Sequence, residues 1–299
     1  MPQLLLHIGF PKSGSTYLQK WFEQNPHVYY QPKYIAQGFL NAWELAKYAQ
    51  FSPTTPQSYV LSCEDLTLFQ SERDLVGLRE TYDFNHRRYQ ENVCEMLHQF
   101  FPSAKILIVT RSYKTIFQSI YSQYLAMAGS LKPDDFIKAN HSLFASMLDY
   151  SYVINSYREK FGRDKVVVMP YELMRDNLQE FISLIEKELD IKEKFHFTDK
   201  KINAAYNIQV LTAYQQLSNL VYQLLKYFPR SFQELAYKKY ASIVRKDEPH
   251  AFLLFLAKFV KRPLDMSQIK PMADFMTDKA EVLKTEKLYA PYLNEYSLS

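Results

Sequence analysis

The first residues that could perform chemistry lie directly after the first apolar run of the chain, residues 4–8. There the sequence becomes rich in glycine and in positively charged and hydroxyl side chains. The segment consists of Gly9, Phe10, Pro11, Lys12, Ser13, Gly14, Ser15 and Thr16. A turn between a strand and a helix can bind phosphate, because the free N–H groups of the first helical turn face the anion and the helix dipole favours negative charge. Gly14 permits an unusual backbone angle and Lys12 supplies a positive charge, so the segment predicts an anion site.

A second candidate anion site follows another apolar run, residues 105–110. Arg111 comes directly after this run, and Ser119 lies in the helical pattern that follows. Arginine offers phosphate a planar fork of donors, and serine adds a hydroxyl donor. Eight helical residues span about 12 Å, so the two side chains can meet on one phosphate only if Arg111 lies at the strand end and reaches back.

Together the two patterns resemble the sulfotransferases that use 3′-phosphoadenosine 5′-phosphosulfate (PAPS). Residues 10–16 are similar to the 5′-phosphosulfate loop of that family, and Arg111 with Ser119 resembles its 3′-phosphate motif. The resemblance extends over residues 3–205. It implies that PAPS is the sulfuryl donor and that no metal is required. The PAPS-binding residues that it implies are Pro11, Lys12, Ser13, Gly14, Ser15, Thr16, Arg111, Ser119 and, by likeness to an Asn-x-Ser segment, Asn203.

The same resemblance suggests residues for catalysis. Lys12 is the candidate donor to the oxygen that bridges the leaving phosphate, while an alcohol acceptor needs a base to remove its proton. Glu64 follows a strand-like run and would project from the edge of the sheet where ligands gather. Residues 62–65, Ser-Cys-Glu-Asp, resemble the strand-end glutamate of glycan-modifying sulfotransferases. His86 is the alternative base, whereas His7 lies within an apolar run and is predicted to be a core residue.

The sequence indicates the acceptor only through the branch of the sulfotransferase family that the chain resembles. The chain lacks the Arg-Lys-Gly motif of the cytosolic phenol and steroid sulfotransferases, so it resembles the glycan-type enzymes more closely. The implied reaction transfers a sulfuryl group to a hydroxyl, or an amine, of a carbohydrate, glycolipid or other small acceptor, releasing 3′,5′-adenosine bisphosphate. Two alternatives stay open. A small-molecule kinase would use ATP and magnesium, although Ser15 stands where such enzymes have lysine; a scaffold or membrane-surface protein would not catalyse a reaction.

Short apolar runs alternate with helical patterns over the first 170 residues. This alternation predicts an α/β fold with a central, mainly parallel sheet flanked by helices. The resemblance to the sulfotransferases implies that this is their fold, which is similar to that of the P-loop NTPases. After about residue 203 the pattern is helical only. We therefore expect residues 1–205 to form the PAPS-binding catalytic core and residues 206–299 a helical extension packed on it in the same domain.

Composition limits the partners and the location. The net charge is +4 and basic residues form no dense stripe, so nucleic acid is not an expected partner. Cys63 and Cys94 are predicted to be buried thiols, which favours a cytoplasmic location. The longest apolar run, residues 251–257, is far shorter than the ~20 residues that span a bilayer. It predicts a buried helix, with contact to a membrane surface as the alternative. No metal-ligand spacing occurs, and the sequence does not indicate an oligomeric state.

Overall fold

A computed structural model describes residues 3–31, 58–63, 66–67, 85–195, 197, 207–244, 251–269 and 275–298. Two of the predicted site residues, Glu64 and Asn203, lie outside these ranges.

A five-stranded sheet forms the centre of the protein. Its strands are β1 (Leu4–His7), β2 (Val28–Gln31), β3 (Ser58–Ser62), β4 (Lys105–Thr110) and β5 (Val166–Pro170). They lie in the order β2-β3-β1-β4-β5, and every neighbouring pair is parallel. Because parallel strands run in one direction, the segments that follow β1, β3 and β4 all leave the sheet at the same edge.

Helices follow the strands and cover the sheet. They are α1 (Ser15–Gln24), α2 (His86–Phe100), α3 (Tyr113–Ala126), α4 (Pro133–Met147), α5 (Tyr150–Phe161), α6 (Tyr171–Asp176), α7 (Leu178–Glu188), α8 (Ile208–Leu225), α9 (Arg230–Val244) and α10 (Ala251–Ala257). Shorter 3₁₀ segments include Thr277–Thr285 and Lys287–Tyr296. The predicted α/β fold with a flanked parallel sheet is confirmed. No helix in the described part of the chain combines the length and apolar character needed to cross a bilayer.

The strand β4 shows why the strands appear in the sequence as continuous apolar runs. Along β4, Ile106 and Ile108 belong to one buried cluster, while Leu107 and Val109 belong to another on the opposite face of the sheet. Successive side chains of a strand point to opposite faces, so a sheet covered on both sides requires apolar residues at every position.

The C-terminal helices pack on the first of these clusters. Tyr214 of α8 and Tyr237 of α9 are buried in the same cluster as Ile106. The Tyr237 hydroxyl donates to the Ala128 carbonyl just after α3. This part of the chain therefore rests on the helices that cover the sheet, while the division into core and extension at residue 205 stays a prediction.

Two sequence predictions need correction. The edge strand β2 was not predicted, because it is only four residues long and follows Asn25 and Pro26, which mark a helix end. The helix α10 was predicted to be buried, but Phe252 and Phe255 are more than half exposed. The two free cysteines, in contrast, are buried as predicted.

Candidate active site

The turn between β1 and α1 is built as an anion-binding loop would be. Gly14 precedes the helix in the left-handed conformation, at φ 86°. Its carbonyl oxygen accepts hydrogen bonds from the N–H groups of Tyr17 (3.0 Å) and Leu18 (3.2 Å). The amides of Ser15 and Thr16 therefore precede the first intrahelical bonds, in the positions where a helix has N–H groups to offer an anion.

Glycine is required at position 14 for two reasons. A side chain is strained at this φ, and a Cβ atom built on Gly14 would lie 2.7 Å from the Met174 sulfur and 3.2 Å from the Tyr171 ring. The start of α1 therefore lies against α6, the helix after β5. This close approach holds the loop before α1 against α6, and both helices begin at the same edge of the sheet.

The loop is further held by β4. After β1 ends, the N–H groups of Ile8 and Phe10 still donate to carbonyl oxygens of β4, at 3.0 and 3.3 Å. Lys12 follows with a positive φ of 65°, a conformation that costs a non-glycine residue free energy and occurs often at functional sites. The carbonyl oxygen of Lys12 accepts a hydrogen bond of 2.8 Å from Nη1 of Arg111.

This hydrogen bond brings together the two motifs that the sequence singled out, although 99 residues separate them. Arg111 lies directly after β4, and its Nε also donates to the Thr115 hydroxyl at 3.0 Å. Its guanidinium carbon lies 4.5 Å from the centre of the Tyr171 ring. The arginine is therefore held flat at the end of the strand, next to the loop, as the proposed phosphate fork requires.

One buried atom of the loop is consistent with an anionic ligand. The Ser13 side chain is 1% exposed, and its hydroxyl has no hydrogen-bond partner among the described residues. Buried hydroxyl groups are normally paired, and an unpaired one costs free energy unless a ligand or water pairs it. An oxygen of a bound phosphate would accept the Ser13 hydrogen, so the residues present fit the 5′ end of PAPS.

A buried polar network supports the end of β4. The Glu172 carboxylate accepts hydrogen bonds from the Ser112 N–H (2.9 Å) and the Tyr296 hydroxyl (2.8 Å). The Tyr296 hydroxyl and that of Tyr289 both lie within hydrogen-bond distance of the Thr110 hydroxyl, at 2.9 and 2.8 Å. Burial raises the pKa of Glu172, and its hydrogen bonds lower it again in part. The C-terminal 3₁₀ segment thereby fixes the residues on both sides of Arg111.

Comparison with protein families agrees with this geometry. The family model for the sulfotransferase domain matches residues 2–227. The chain belongs to the sulfotransferase family. It is a PAPS-dependent sulfotransferase, an enzyme that transfers a sulfuryl group to an acceptor.

Two solved sulfotransferases match the chain at low sequence identity. The crystal structure of a sulfotransferase from Alicyclobacillus acidocaldarius matches with a TM-score of 0.50 and 15% identity, over 78% of this chain and 99% of that chain. The mouse sulfotransferase SULT7A1, crystallised with PAP, has a TM-score of 0.45 and 15% identity, over 99% of this chain and 88% of that chain. No curated protein sequence matches significantly. At 15% identity the Alicyclobacillus structure shows the fold alone, so the site residues must be argued from the chain itself.

The end of β3 lies beside the loop of this sulfotransferase. The Cys63 N–H donates to the His7 carbonyl at 3.0 Å, and the Thr67 hydroxyl donates to the Gly9 carbonyl at 3.4 Å. Both ends of the segment 63–67 are therefore bonded to β1 or to the start of the loop. Glu64, the predicted base, belongs to this segment but lies outside the described residues.

The two histidines considered as bases lie in different surroundings. The His7 ring is buried in β1, with Nδ1 2.7 Å from the Ser62 hydroxyl in the neighbouring strand. His86 is the first residue of α2, 7% exposed, and precedes Gln90 by one helical turn. Gln90 donates to the Thr67 carbonyl at 2.9 Å, so the helical face that carries His86 contacts the segment 63–67.

The remaining predicted residues are placed in part. Ser119 is half-buried in α3, one turn after Thr115, whose hydroxyl contacts Arg111. Asn203 lies outside the described residues. Groups of three or more His, Cys, Asp or Glu that could bind a metal do not occur within the described ranges.

Sequence reasoning missed the residues that support the site. Glu172, Tyr289 and Tyr296 lie far from the loop in sequence and belong to no motif of fixed spacing. Glu172 lies in the first turn of α6, directly after β5, where a charged residue is expected to be exposed. Its full burial therefore had no local signal in the sequence.

Proposed function

We propose that this sulfotransferase binds PAPS across the loop and the end of β4, and transfers the sulfuryl group to a hydroxyl of a carbohydrate or glycolipid. The hydrogen bond between Arg111 Nη1 and the Lys12 carbonyl supports the proposal most strongly, because it joins a residue of each motif.

The 5′ end of the donor fits the loop. The amides of Ser15 and Thr16, the buried Ser13 hydroxyl and the positively charged Lys12 would hold the 5′-phosphate. When bound, PAPS supplies the sulfuryl group and a leaving phosphate that gains negative charge. Lys12 would stabilise that charge, because a lysine in the loop provides a donor at the bridging oxygen.

The 3′-phosphate would lie on Arg111. Its guanidinium is half-buried, lies over the Tyr171 ring and is bonded through Nε to Thr115. The side chain would therefore lose little conformational entropy when the phosphate binds. The Ser119 hydroxyl, one helical turn beyond Thr115, would add a donor to the same phosphate.

Glu64 is the proposed base, with His86 as the alternative. In support of Glu64, the described residues on either side of it, Cys63 and Thr67, are bonded to β1 and to Gly9 at the start of the loop. A carboxylate in this segment would be close enough to the donor site to accept the acceptor's proton.

The two arginines in the first turn of α2, Arg87 and Arg88, are relevant to the charge of the acceptor. Arg87 is paired with the buried Asp149, at 3.1 Å, and lies over the Tyr152 ring, at 4.9 Å. Its charge therefore contributes to the structure, and a strongly acidic acceptor would not find a free pair of arginines at positions 87 and 88. This favours an uncharged acceptor hydroxyl.

Ligand binding tests the donor. Isothermal titration calorimetry with 3′,5′-adenosine bisphosphate, without magnesium, should give a clear binding signal, whereas ATP with magnesium should bind much more weakly. Tighter binding of ATP with magnesium would instead identify the kinase alternative. Weak binding of both nucleotides would contradict the PAPS site.

Two variants test the catalytic residues. Lys12→Ala and Glu64→Gln should each lower turnover with PAPS far more than they lower affinity for the bisphosphate, because both residues act on developing charge or on the acceptor proton. Lys138→Ala and Glu159→Gln, on exposed positions of α4 and α5, are the matched controls. If Glu64→Gln keeps full turnover while His86→Ala loses it, His86 is the base.

A further inference from the structure

The helices after residue 207 expose far more apolar side chain than the rest of the molecule. Of the fifteen large apolar side chains that are exposed in the described ranges, eleven lie between residues 220 and 259. Tyr227, at the turn between α8 and α9, is 89% exposed. Isolated apolar residues on a surface need no explanation, but a dense group of them does.

Several of the exposed residues lie close together around this turn. Leu220 and Leu224 are four residues apart and share a face of α8, which ends at the turn. The rings of Phe228 and Phe232 lie 5.0 Å apart and link the turn to α9. A second group lies on and directly after α10, which also packs against α8, and includes Phe255 and Phe259 with ring centres 5.0 Å apart.

The charges around these residues are almost all positive. Residues 207–244 and 251–262 contain seven basic residues and one acidic residue. The acidic residue, Glu234, lies 3.7 Å from Arg230. The excess of six positive charges is larger than the net charge of +4 of the whole chain. The apolar patch therefore lies in a strongly basic part of the described protein.

We propose that this region is a docking surface for an anionic membrane. We define the basic apolar surface as Leu224, Tyr227, Phe228 and Phe232 with Lys226, Lys238 and Lys239. Apolar and aromatic side chains that enter the lipid boundary, together with basic residues that attract anionic headgroups, are the two signals that stable peripheral binding requires.

The charge also decides against the other obvious occupant, a second copy of this chain. A symmetric dimer through the basic apolar surface would place the same patch on itself, so that its positive charges would face one another. Such like-charge contacts are unfavourable unless an anion lies between them. An anionic bilayer both neutralises the charge and covers the apolar side chains.

Vesicle flotation with the full chain tests the proposal. Vesicles of phosphatidylcholine mixed with phosphatidylserine should bind the protein, pure phosphatidylcholine should bind it weakly, and added salt should release it. The triple variant Lys226→Glu, Lys238→Glu and Lys239→Glu should reduce binding by more than about a hundredfold. Each lysine near an anionic surface contributes about fivefold, and the new carboxylates add repulsion. The triple variant Leu224→Ser, Tyr227→Ser and Phe232→Ser should also reduce it.

Matched substitutions elsewhere provide the controls. Lys138→Glu, Lys187→Glu and Lys192→Glu remove as much positive charge from exposed positions outside the surface, and Tyr29→Ser with Leu178→Ser removes exposed apolar side chains. These proteins should bind vesicles as the wild type does. All the substituted residues are exposed, and circular dichroism would verify that each variant folds.

Three results would overturn the proposal. One is failure to bind anionic vesicles, and another is an equal loss of binding in the control variants. The third is a dimer, detected by sedimentation equilibrium without lipid, that the serine variant converts to a monomer while vesicle binding is unchanged. That result would assign the surface to self-association. None of these outcomes depends on the nucleotide site, so sulfotransfer would stand or fail separately.

Discussion

Removal of the Arg111 side chain should affect two nucleotides unequally. If Arg111 binds a 3′-phosphate, Arg111→Ala should weaken 3′,5′-adenosine bisphosphate far more than adenosine 5′-monophosphate, which lacks that phosphate. The two ligands and two proteins form a double-mutant cycle in which one of the changes is made in the ligand.

The structure sets the size of each effect. For the monophosphate, the variant loses the 2.8 Å bond from Arg111 to the Lys12 carbonyl, which steadies the loop at its positive φ. A typical hydrogen bond contributes about 1 kcal/mol, so affinity should fall roughly fivefold. The bisphosphate would lose in addition a charge-assisted bond of about 1.5–3 kcal/mol. The two effects should therefore differ by about 2 kcal/mol, or roughly thirtyfold.

Isothermal titration calorimetry of both ligands against both proteins measures this difference. Lys138→Ala is the control, because it removes an exposed positive charge from α4. It should leave both affinities nearly unchanged. Arg111→Lys should recover part of the loss, since lysine keeps the charge but not the planar fork. An equal loss for both nucleotides in Arg111→Ala would refute a contact with the 3′-phosphate.

Four other outcomes follow from contacts in and around the site. Gly14→Ala should lower the free energy of unfolding by about 1–2 kcal/mol through the left-handed backbone alone, as measured by urea denaturation. Tyr296→Phe should cost about 1–3 kcal/mol, because one oxygen of the buried Glu172 carboxylate loses its donor. Burial raises the pKa of Glu172 above its ordinary 4.5, so the protonated group stabilises the folded protein fully below pH 4.5. This stabilisation is lost as the pH rises through the pKa that Glu172 has in the folded protein. The Tm of Glu172→Gln, measured by thermal unfolding, should therefore rise relative to the Tm of the wild type as the pH increases. Burial also raises the pKa of Cys94 to about 12, so iodoacetamide at pH 8 should label it only after unfolding.

Three of these expectations can fail in distinct ways. A Gly14→Ala protein as stable as the wild type would mean that the turn can relax to another backbone angle. A Tm difference between Glu172→Gln and the wild type that does not change with pH would show that the carboxyl has an ordinary pKa. Rapid alkylation of Cys94 in the folded protein would show that α2 opens readily.

The sequence predicted those parts of the molecule in which local pattern and tertiary structure agree. The run 105–110 coincides with β4 because both faces of that strand are buried, which leaves an uninterrupted apolar signal. The loop was predictable because Gly14 and Lys12 must lie within a few residues of each other to form it. The proximity of Arg111 to the loop followed from parallel topology, since β1 and β4 are neighbours and end at one edge.

Other features could not be predicted from local pattern. The strand β2 pairs only with β3 at the edge of the sheet, and four residues give too little periodicity to recognise. The burial of Glu172 depends on Tyr296, 124 residues away. In α10 the residue types alone indicated burial, but Phe252 and Phe255 lie on the side that faces away from α8 and the core.

The bond between Thr110 and Tyr296 joins residues 186 positions apart, beside the Arg111 end of the proposed nucleotide site. During synthesis, β1, the phosphate loop and β4 are complete long before Tyr296 is added to the chain. Contacts over such sequence distances form late in folding, because the entropy of closing a long loop opposes them. Nascent chains that have reached only α7 should therefore contain the sheet but hold Arg111 less firmly. The affinity for the donor nucleotide would then be acquired in the last stage of folding rather than with the sheet itself.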